Sequence, residues 1–473
     1  MANRFENIFL ENLGFFPTED QSKLISLLES FLFVENNNVF VLTGYAGTGK
    51  TTMMSALIKT LSSFHLHSVL LAPTGRSAKV LAKYSQKKAY TIHKHIYFSH
   101  HDESSFSFQL KTNRFRHTIF IVDESSMIST ENSGIFNHNI LDDLIDYIFG
   151  QESCKVVFIG DTAQLPPVGQ NLSNALSLKY ITDRYNLSCT GYQLSQVVRQ
   201  ALESGIVKNA SNLRFRISKE NFSLPIFKIN SLADVKSIDS SDLEECIRDA
   251  YKQEGKQEVM VIAKSNYQAN RLNNLIRYQI LERENLLEAS DRLMVVKNNY
   301  FWIEQDNEMG FIANGDIFVI KRVLSEQEKF GFKFADVLIS FDDYDNSPEI
   351  EVKILLDTLS WEQPCLNRQE EQKLYNNIFE YHYMELRNKA QAKKNTFNDP
   401  YFNALQVKYA SCLTCHKAQG GGWNTVFVLQ SHITEEGINK EYFRWLYTAL
   451  TRAKKQLYLV NFSEDFFKNQ VEL

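Results

Sequence analysis

The strongest constraint on this chain is a junction near residue 44. Val39, Phe40, Val41 and Leu42 are uniformly apolar, so they read as a short strand buried on both faces. The run passes straight into Gly44-Tyr45-Ala46-Gly47-Thr48-Gly49-Lys50-Thr51, then Thr52, and a helical stretch continues to about Leu61. A strand, a glycine-rich loop and a helix N-terminus together make a phosphate cradle. Gly44, Gly47 and Gly49 let backbone N–H groups approach dense negative charge, and Thr48 lies among them. Lys50 is placed for the terminal phosphates of ATP, and the Thr51 hydroxyl for Mg²⁺.

The strands around this junction repeat its style. Residues 68–72, 118–122 and 155–159 are apolar runs without polar alternation, separated by helical stretches. That pattern predicts a parallel sheet covered on both faces. Residues 17–33 carry helix start signals, Pro17 to Asp20, ahead of an apolar periodicity. Residues 1–190 are therefore expected to form one doubly wound α/β domain. The polar, aromatic stretch 95–117, with Phe106, Phe108 and Phe115, interrupts it and reads as an inserted hairpin. Residues 258–263, 426–429 and 456–460 predict a second α/β core. Between 285 and 400 the style changes to short strands, then a charged helix from about Arg368 to Lys393. A small β-barrel with a helical projection is expected there.

At 473 residues the chain is too long for one core, and it carries a net charge of −5. That balance excludes a basic coat protein, so contacts to nucleic acid must line a local groove. The cysteines at 154, 189, 246, 365, 412 and 415 build no disulfide framework, and Cys412 and Cys415 lack the second pair of a zinc site. A reduced, cytoplasmic setting is expected. Met1 to Leu10 lacks signal-peptide character, and no apolar run approaches a bilayer span.

Two further stretches bear on chemistry. Ile119-Phe120-Ile121-Val122 ends in Asp123 and Glu124. Downstream of a phosphate loop, such a pair suits Mg²⁺ (Asp123) and activation of a water molecule (Glu124); elsewhere it is a common surface pair. Gln164, in Gly160-Asp161-Thr162-Ala163-Gln164-Leu165-Pro166-Pro167, is placed to sense a terminal phosphate on a loop stiffened by prolines. Arg199 and Arg452 are candidates for neutralising charge in a transition state, against the ordinary solvated role of an arginine.

Taken in order, these blocks resemble the superfamily 1 helicases of the 5′→3′ branch, the RecD-like and phage Dda-like DNA helicases. The resemblance spans seven or eight blocks from Gln21 to Arg452. It implies two RecA-like cores, residues 1–190 and residues 191–284 with 401–473, and an SH3-like barrel with a helical projection at 285–400. Gln21 then reads adenine, and Gly420 joins the nucleotide cleft. Pro73, Thr74 and Arg76, in Ala72-Pro73-Thr74-Gly75-Arg76-Ser77-Ala78-Lys79, look like a first DNA-contacting motif. Thr91 and His93 resemble a second; Thr414, His416 and Lys417 a third. Asn314, with Gly315 and Asp316, resembles a turn in the barrel. The hairpin at 95–117 corresponds to a duplex-splitting wedge, with Phe98, Phe106 or Phe108 stacking. Gly420-Gly421-Gly422 stands where Gly-Ser-Glu is common, so a glutamate that contacts the nucleotide sugar is missing. The implied partners are single-stranded DNA and duplex junctions, engaged by a monomer, with no membrane. Protein displacement without strand separation, or an RNA track, are the alternatives.

Overall fold

The computed structural model describes residues 2–33, 38–102, 105–131, 139–198, 203–229, 233–303, 311–341 and 349–468. Eight strands come first: β1 Val39–Gly44, β2 His67–Ala72, β3 Ala89–Thr91, β4 Tyr97–Asp102, β5 Ser105–Leu110, β6 Thr118–Val122, β7 Lys155–Gly160 and β8 Cys189–Leu194. Six of them form a parallel sheet in the order β3-β2-β6-β7-β1-β8. All five residues of β6 are buried, as a strand covered on both faces requires. One apolar layer holds Phe40, Leu42 and Leu70 against helices Glu19–Phe33 and Lys50–Ser63. The opposite layer holds Val41, Phe120 and Phe158 against helix Ile140–Phe149. Burial of each such side chain contributes about 1.5–3 kcal/mol. The first layer also receives helix Ala2–Leu13, absent from the sequence reading, through Phe5, Phe9 and Leu13.

β4 and β5 pair antiparallel as the expected hairpin. Its base is anchored by the buried Tyr97, whose hydroxyl donates to Asp143 Oδ2 at 2.5 Å. Phe98 stands exposed at that base. The side chains of Phe106 and Phe108 lie outside the described residues.

A second parallel sheet starts with β9 Val235–Ile238 and β10 Val259–Ala263. The chain then leaves it for a closed barrel of β11 Arg292–Val295, β12 Ile317–Lys329, β13 Phe332–Phe341, β14 Ile350–Leu355 and β15 Leu405–Tyr409. It returns through β16 Cys412–Thr414, β17 Trp423–Leu429 and β18 Ala453–Val460, giving the order β16-β10-β17-β18-β9. Two RecA-like cores and an inserted barrel are thus present.

Strands cross two borders read from sequence. β8 extends the first sheet to Leu194, and β15, read as part of the second core, closes the barrel against β11 and β14. β15 is buried throughout although Gln406 and Lys408 alternate with its apolar residues, and so short a strand does not say which sheet it joins. The expected helix from Arg368 to Lys393 is broken. Helix Arg368–Ile378 leads into a π-turn, Phe379–Tyr383, and a new helix, Lys389–Phe397, starts where Asn388 Oδ1 accepts from Ala390 N and Gln391 N. Among the described residues no helix is long and apolar enough to cross a membrane.

Candidate active site

The C-terminal ends of β1, β6 and β7 converge on one cavity of about 170 Å³, and the second core supplies its far wall. Lys50, Thr51, Asp123, Glu124 and Gln164 line it from the first core; Gly420, Thr451 and Arg452 line it from the second. Residues from the two ends of the chain, Lys50 and Arg452, therefore meet here.

The phosphate loop is held in a shape that few side chains permit. Gly49 has φ of +85°, and a Cβ there would stand 2.8 Å from Gln21 Nε2. Gln21 is buried, and Nε2 donates to Thr48 O at 3.4 Å while Oε1 accepts from Thr18 N at 3.0 Å. Thr48 is fully buried and its hydroxyl donates to Tyr45 O at 2.8 Å. The Lys50 ammonium donates to Gly44 O at 2.6 Å and Tyr45 O at 3.0 Å, across the mouth of the loop. Thr52 is exposed on the helix that follows.

Asp123 accepts from Tyr84 Oη at 2.8 Å and from Glu124 N at 2.8 Å. Burial lifts its pKa, opposed by these bonds and by Lys50. Burial, followed by repulsion from Asp123, pushes Glu124 up to about 6, while Arg452 and Lys50 pull it down. Glu124 sits in the left-handed region, at φ of +50°, where a non-glycine residue stores strain. Gln164 is buried, and its Oε1 has no hydrogen-bond partner among the described residues. An orphaned buried oxygen at a cavity wall costs about 1–3 kcal/mol and fits a polar ligand. The donor set fits Mg²⁺ as well: a carboxylate at Asp123 and a hydroxyl at Thr51, both hard oxygens.

Arg452 is buried, with Nε donating to Thr448 O at 3.0 Å and Nη1 to Gly421 O at 3.1 Å. The loop carrying Gln164 is strapped to the second core as well. Leu165 N donates to Thr448 Oγ1 at 2.9 Å, and Gln419 Nε2 to Leu165 O at 2.8 Å. Tyr447, on helix Lys440–Leu450, accepts from Ala46 N at 2.9 Å and donates to Asp161 Oδ2 at 2.5 Å. Tyr84, Asp161 and Tyr447 were not singled out from sequence. Arg199 lies outside the described residues, but the segment before it is fixed: Val198 N donates to Gly47 O at 3.0 Å, and Asp20 Oδ2 accepts from Ser195 N and Gln196 N.

The residues expected to touch a strand do not share one cavity. Thr74 caps helix Gly75–Ser85 in a capping box with Ser77, and Thr91 caps helix Ile92–Ile96. Pro73 is half-buried beside Thr74. The Arg76 guanidinium stacks on the Trp423 ring at 3.9 Å, reaching across to the second core. Gly421 makes this possible, since a Cβ there would stand 2.8 Å from Arg76 Nε. His93 is half-buried, and desolvation pushes it down to about 4, so it is neutral. Asn314 is exposed, at a turn closed by Ala313 N donating to Asp316 Oδ2 at 2.7 Å. Thr414 and Lys417 line a separate small cavity with Lys408, whose amine burial lowers to about 8. Burial also lowers Lys417 and His416, the latter opposed by Glu441. Cys415 is fully buried, its thiol pushed up to about 12.

Two family models match the chain, an AAA domain over residues 20–219 and a UvrD-like helicase C-terminal domain over residues 409–460. The RecBCD enzyme subunit RecD of Buchnera aphidicola is 26% identical over 478 residues, covering 91% of this chain and 72% of that subunit. An uncharacterized protein of Methanocaldococcus jannaschii is also 26% identical, over 96% of this chain, which spans only 39% of that protein's length. The ATP-dependent DNA helicase dda of Enterobacteria phage T4 is 25% identical over 285 residues, 56% of this chain and 58% of that one.

Proposed function

We propose that this chain is a superfamily 1 helicase of the RecD and Dda type, to which its family-model matches and relatives point, and that it hydrolyses ATP to move 5′→3′ along single-stranded DNA and part the duplex ahead of it. The observation that carries this reading is the cavity itself: Lys50, Glu124 and Gln164 come from one core and Arg452 from the other. A site completed by two bodies does its chemistry when they close and resets when they open. Hydrolysis at such a site performs mechanical work if each body also grips a strand.

In this mechanism the phosphate loop orients ATP, and Lys50 neutralises its terminal phosphates. Gln21, whose amide holds Thr18 N and Thr48 O in this structure, would exchange those bonds for the adenine edge. Glu124, largely ionised above pH 6, takes the proton of the attacking water. Gln164 orients that water or the terminal phosphate. Arg452, with Arg199, neutralises charge developing on the transferred group. Mg²⁺, held by Thr51 and Asp123, would offset phosphate charge. On the strand side, contacts from Pro73, Thr74, Thr91, Asn314, Thr414, His416 and Lys417 to phosphates are sequence-tolerant. The hairpin at 95–117, with Phe98, is assigned as the wedge. The protein works as a monomer, since one chain holds both walls of the cleft, and serves replication, recombination or repair.

Fork substrates with either a 5′ or a 3′ single-stranded tail test this directly. Strand separation should require ATP and the 5′ tail. Separation only from the 3′ tail would overturn the polarity. ATP turnover stimulated by DNA without strand separation would replace the reading with that of a protein-displacing translocase, and stimulation by RNA alone would change the track.

A further inference from the structure

Tyr447 crosses from the second core into the first at the point where two loops of the first core meet. Its ring is buried, at 1% exposure, on helix Lys440–Leu450. Its hydroxyl accepts from Ala46 N in the phosphate loop and donates to Asp161 Oδ2. The other carboxylate oxygen, Asp161 Oδ1, accepts from Ala163 N at 2.9 Å, shaping the loop that carries Gln164. Desolvation, reinforced by Asp161, raises the phenol pKa well above its ordinary value, so the O–H remains a donor.

The residues beside Tyr447 extend the connection. Thr448 holds Leu165 N through its hydroxyl and Arg452 Nε through its carbonyl. One turn of one helix therefore fixes three parts of the cavity: the phosphate loop, the Gln164 loop and the Arg452 side chain. A movement of this helix relative to the first sheet displaces all three together.

We propose that Tyr447 is a positioning residue that couples the phosphate loop and the Gln164 loop to the second core, so that nucleotide occupancy is converted into motion of helix Lys440–Leu450. The proposal rests on the reading of this cavity as the ATP site. Tyr447 is not among the residues that line the cavity. Its hydroxyl sets where Gln164 and Arg452 stand when the cleft closes, so its loss falls on turnover rather than on nucleotide affinity.

The test is steady-state ATPase of the full chain with saturating single-stranded DNA, comparing the natural protein with Tyr447→Phe. Removing the hydroxyl leaves a buried N–H and a carboxylate oxygen without their partner, and kcat should fall roughly tenfold with ATP KM changed by less than about twofold. The base pairs opened per ATP consumed should fall as well. Unchanged kcat and unchanged coupling in Tyr447→Phe would overturn the proposal, as would a loss confined to KM. Should Tyr447→Phe fail to fold, Asp161→Asn, which leaves the tyrosine ring packed, decides the matter on the same kcat and KM split. Absence of ATPase in the natural protein would instead overturn the ATP-site reading.

Discussion

The cavity proposed for ATP and the motifs proposed to contact a DNA strand are built on opposite terms. In the cleft, residues quoted from five sequence blocks, those of Lys50, Asp123, Gln164, Gly420 and Arg452, line one cavity. Among the strand motifs, Thr74 and Thr91 cap helices, Arg76 lies on Trp423 and His93 is neutral. The contrast suits the proposed ligands. Phosphate groups at a reacting centre need fixed donors within a few tenths of an ångström, whereas a strand held by its backbone tolerates contacts spread over a surface. A motif residue on the strand side therefore has room to serve the fold as well.

The largest effects are expected in the cleft. Lys50→Ala and Glu124→Gln should each lower ATP turnover by roughly 100- to 10,000-fold. Glu124→Gln should still bind ATP, because the amide keeps the shape of the site and sheds a carboxylate that repels phosphate. Nucleotide binding followed by fluorescence, beside turnover, separates the two variants. Near-normal turnover in either would break the comparison on its stronger side. Arg452→Lys belongs with them: a point charge without the guanidinium fork should cost roughly 1,000-fold or more in kcat.

This asymmetry also governs how much was legible in the sequence. The cradle was readable because its chemistry needs Gly, Lys and Thr at fixed spacing within eight positions. Asp123 and Glu124 were readable because the strand that ends in them is entirely apolar. Tyr447 was not, since its partner Ala46 lies 401 positions away and a buried tyrosine on a helix normally reads as core. Helix Ala2–Leu13 carries an i, i+4, i+8 pattern in Phe5, Phe9 and Leu13 that the sequence displays, but with so few polar start signals around it the pattern does not announce a helix. The assignment of β15 to the barrel depends on pairing with β11 and β14, which no local pattern encodes. The role of Gly421 was hidden in the same way. Its position was visible as a departure from Gly-Ser-Glu, but the space it leaves for Arg76 exists only once the cores are docked.

The strand side can be sharpened at Arg76. A guanidinium stacked on Trp423 contributes about 1–2 kcal/mol when desolvated, so Arg76→Ala should lower resistance to urea in the DNA-free protein. Single-stranded DNA affinity without nucleotide should change by less than about threefold. A tenfold loss of affinity, with a salt-dependence slope shallower by about one, would instead make Arg76 a phosphate contact and narrow the contrast between the two regions. Gly421→Val should reproduce the loss of the stack while leaving Arg76 in place.

The smallest effect is expected at Thr74, where fold and function share one hydroxyl. Its Oγ1 accepts from Ser77 N at 3.2 Å, and Ser77 Oγ accepts from Thr74 N at 3.1 Å, a reciprocal cap on the helix that follows β2. Thr74→Val keeps the shape and removes the acceptor, which should cost about 1 kcal/mol in urea denaturation. Thr74→Ser keeps the oxygen and should restore that stability. The serine variant also carries the decisive comparison: if it restores stability and DNA affinity together, the cap is what places this motif against the strand. If it restores stability but leaves binding weak, the threonine methyl touches the DNA, and the strand side is as narrowly specified at this position as the cleft.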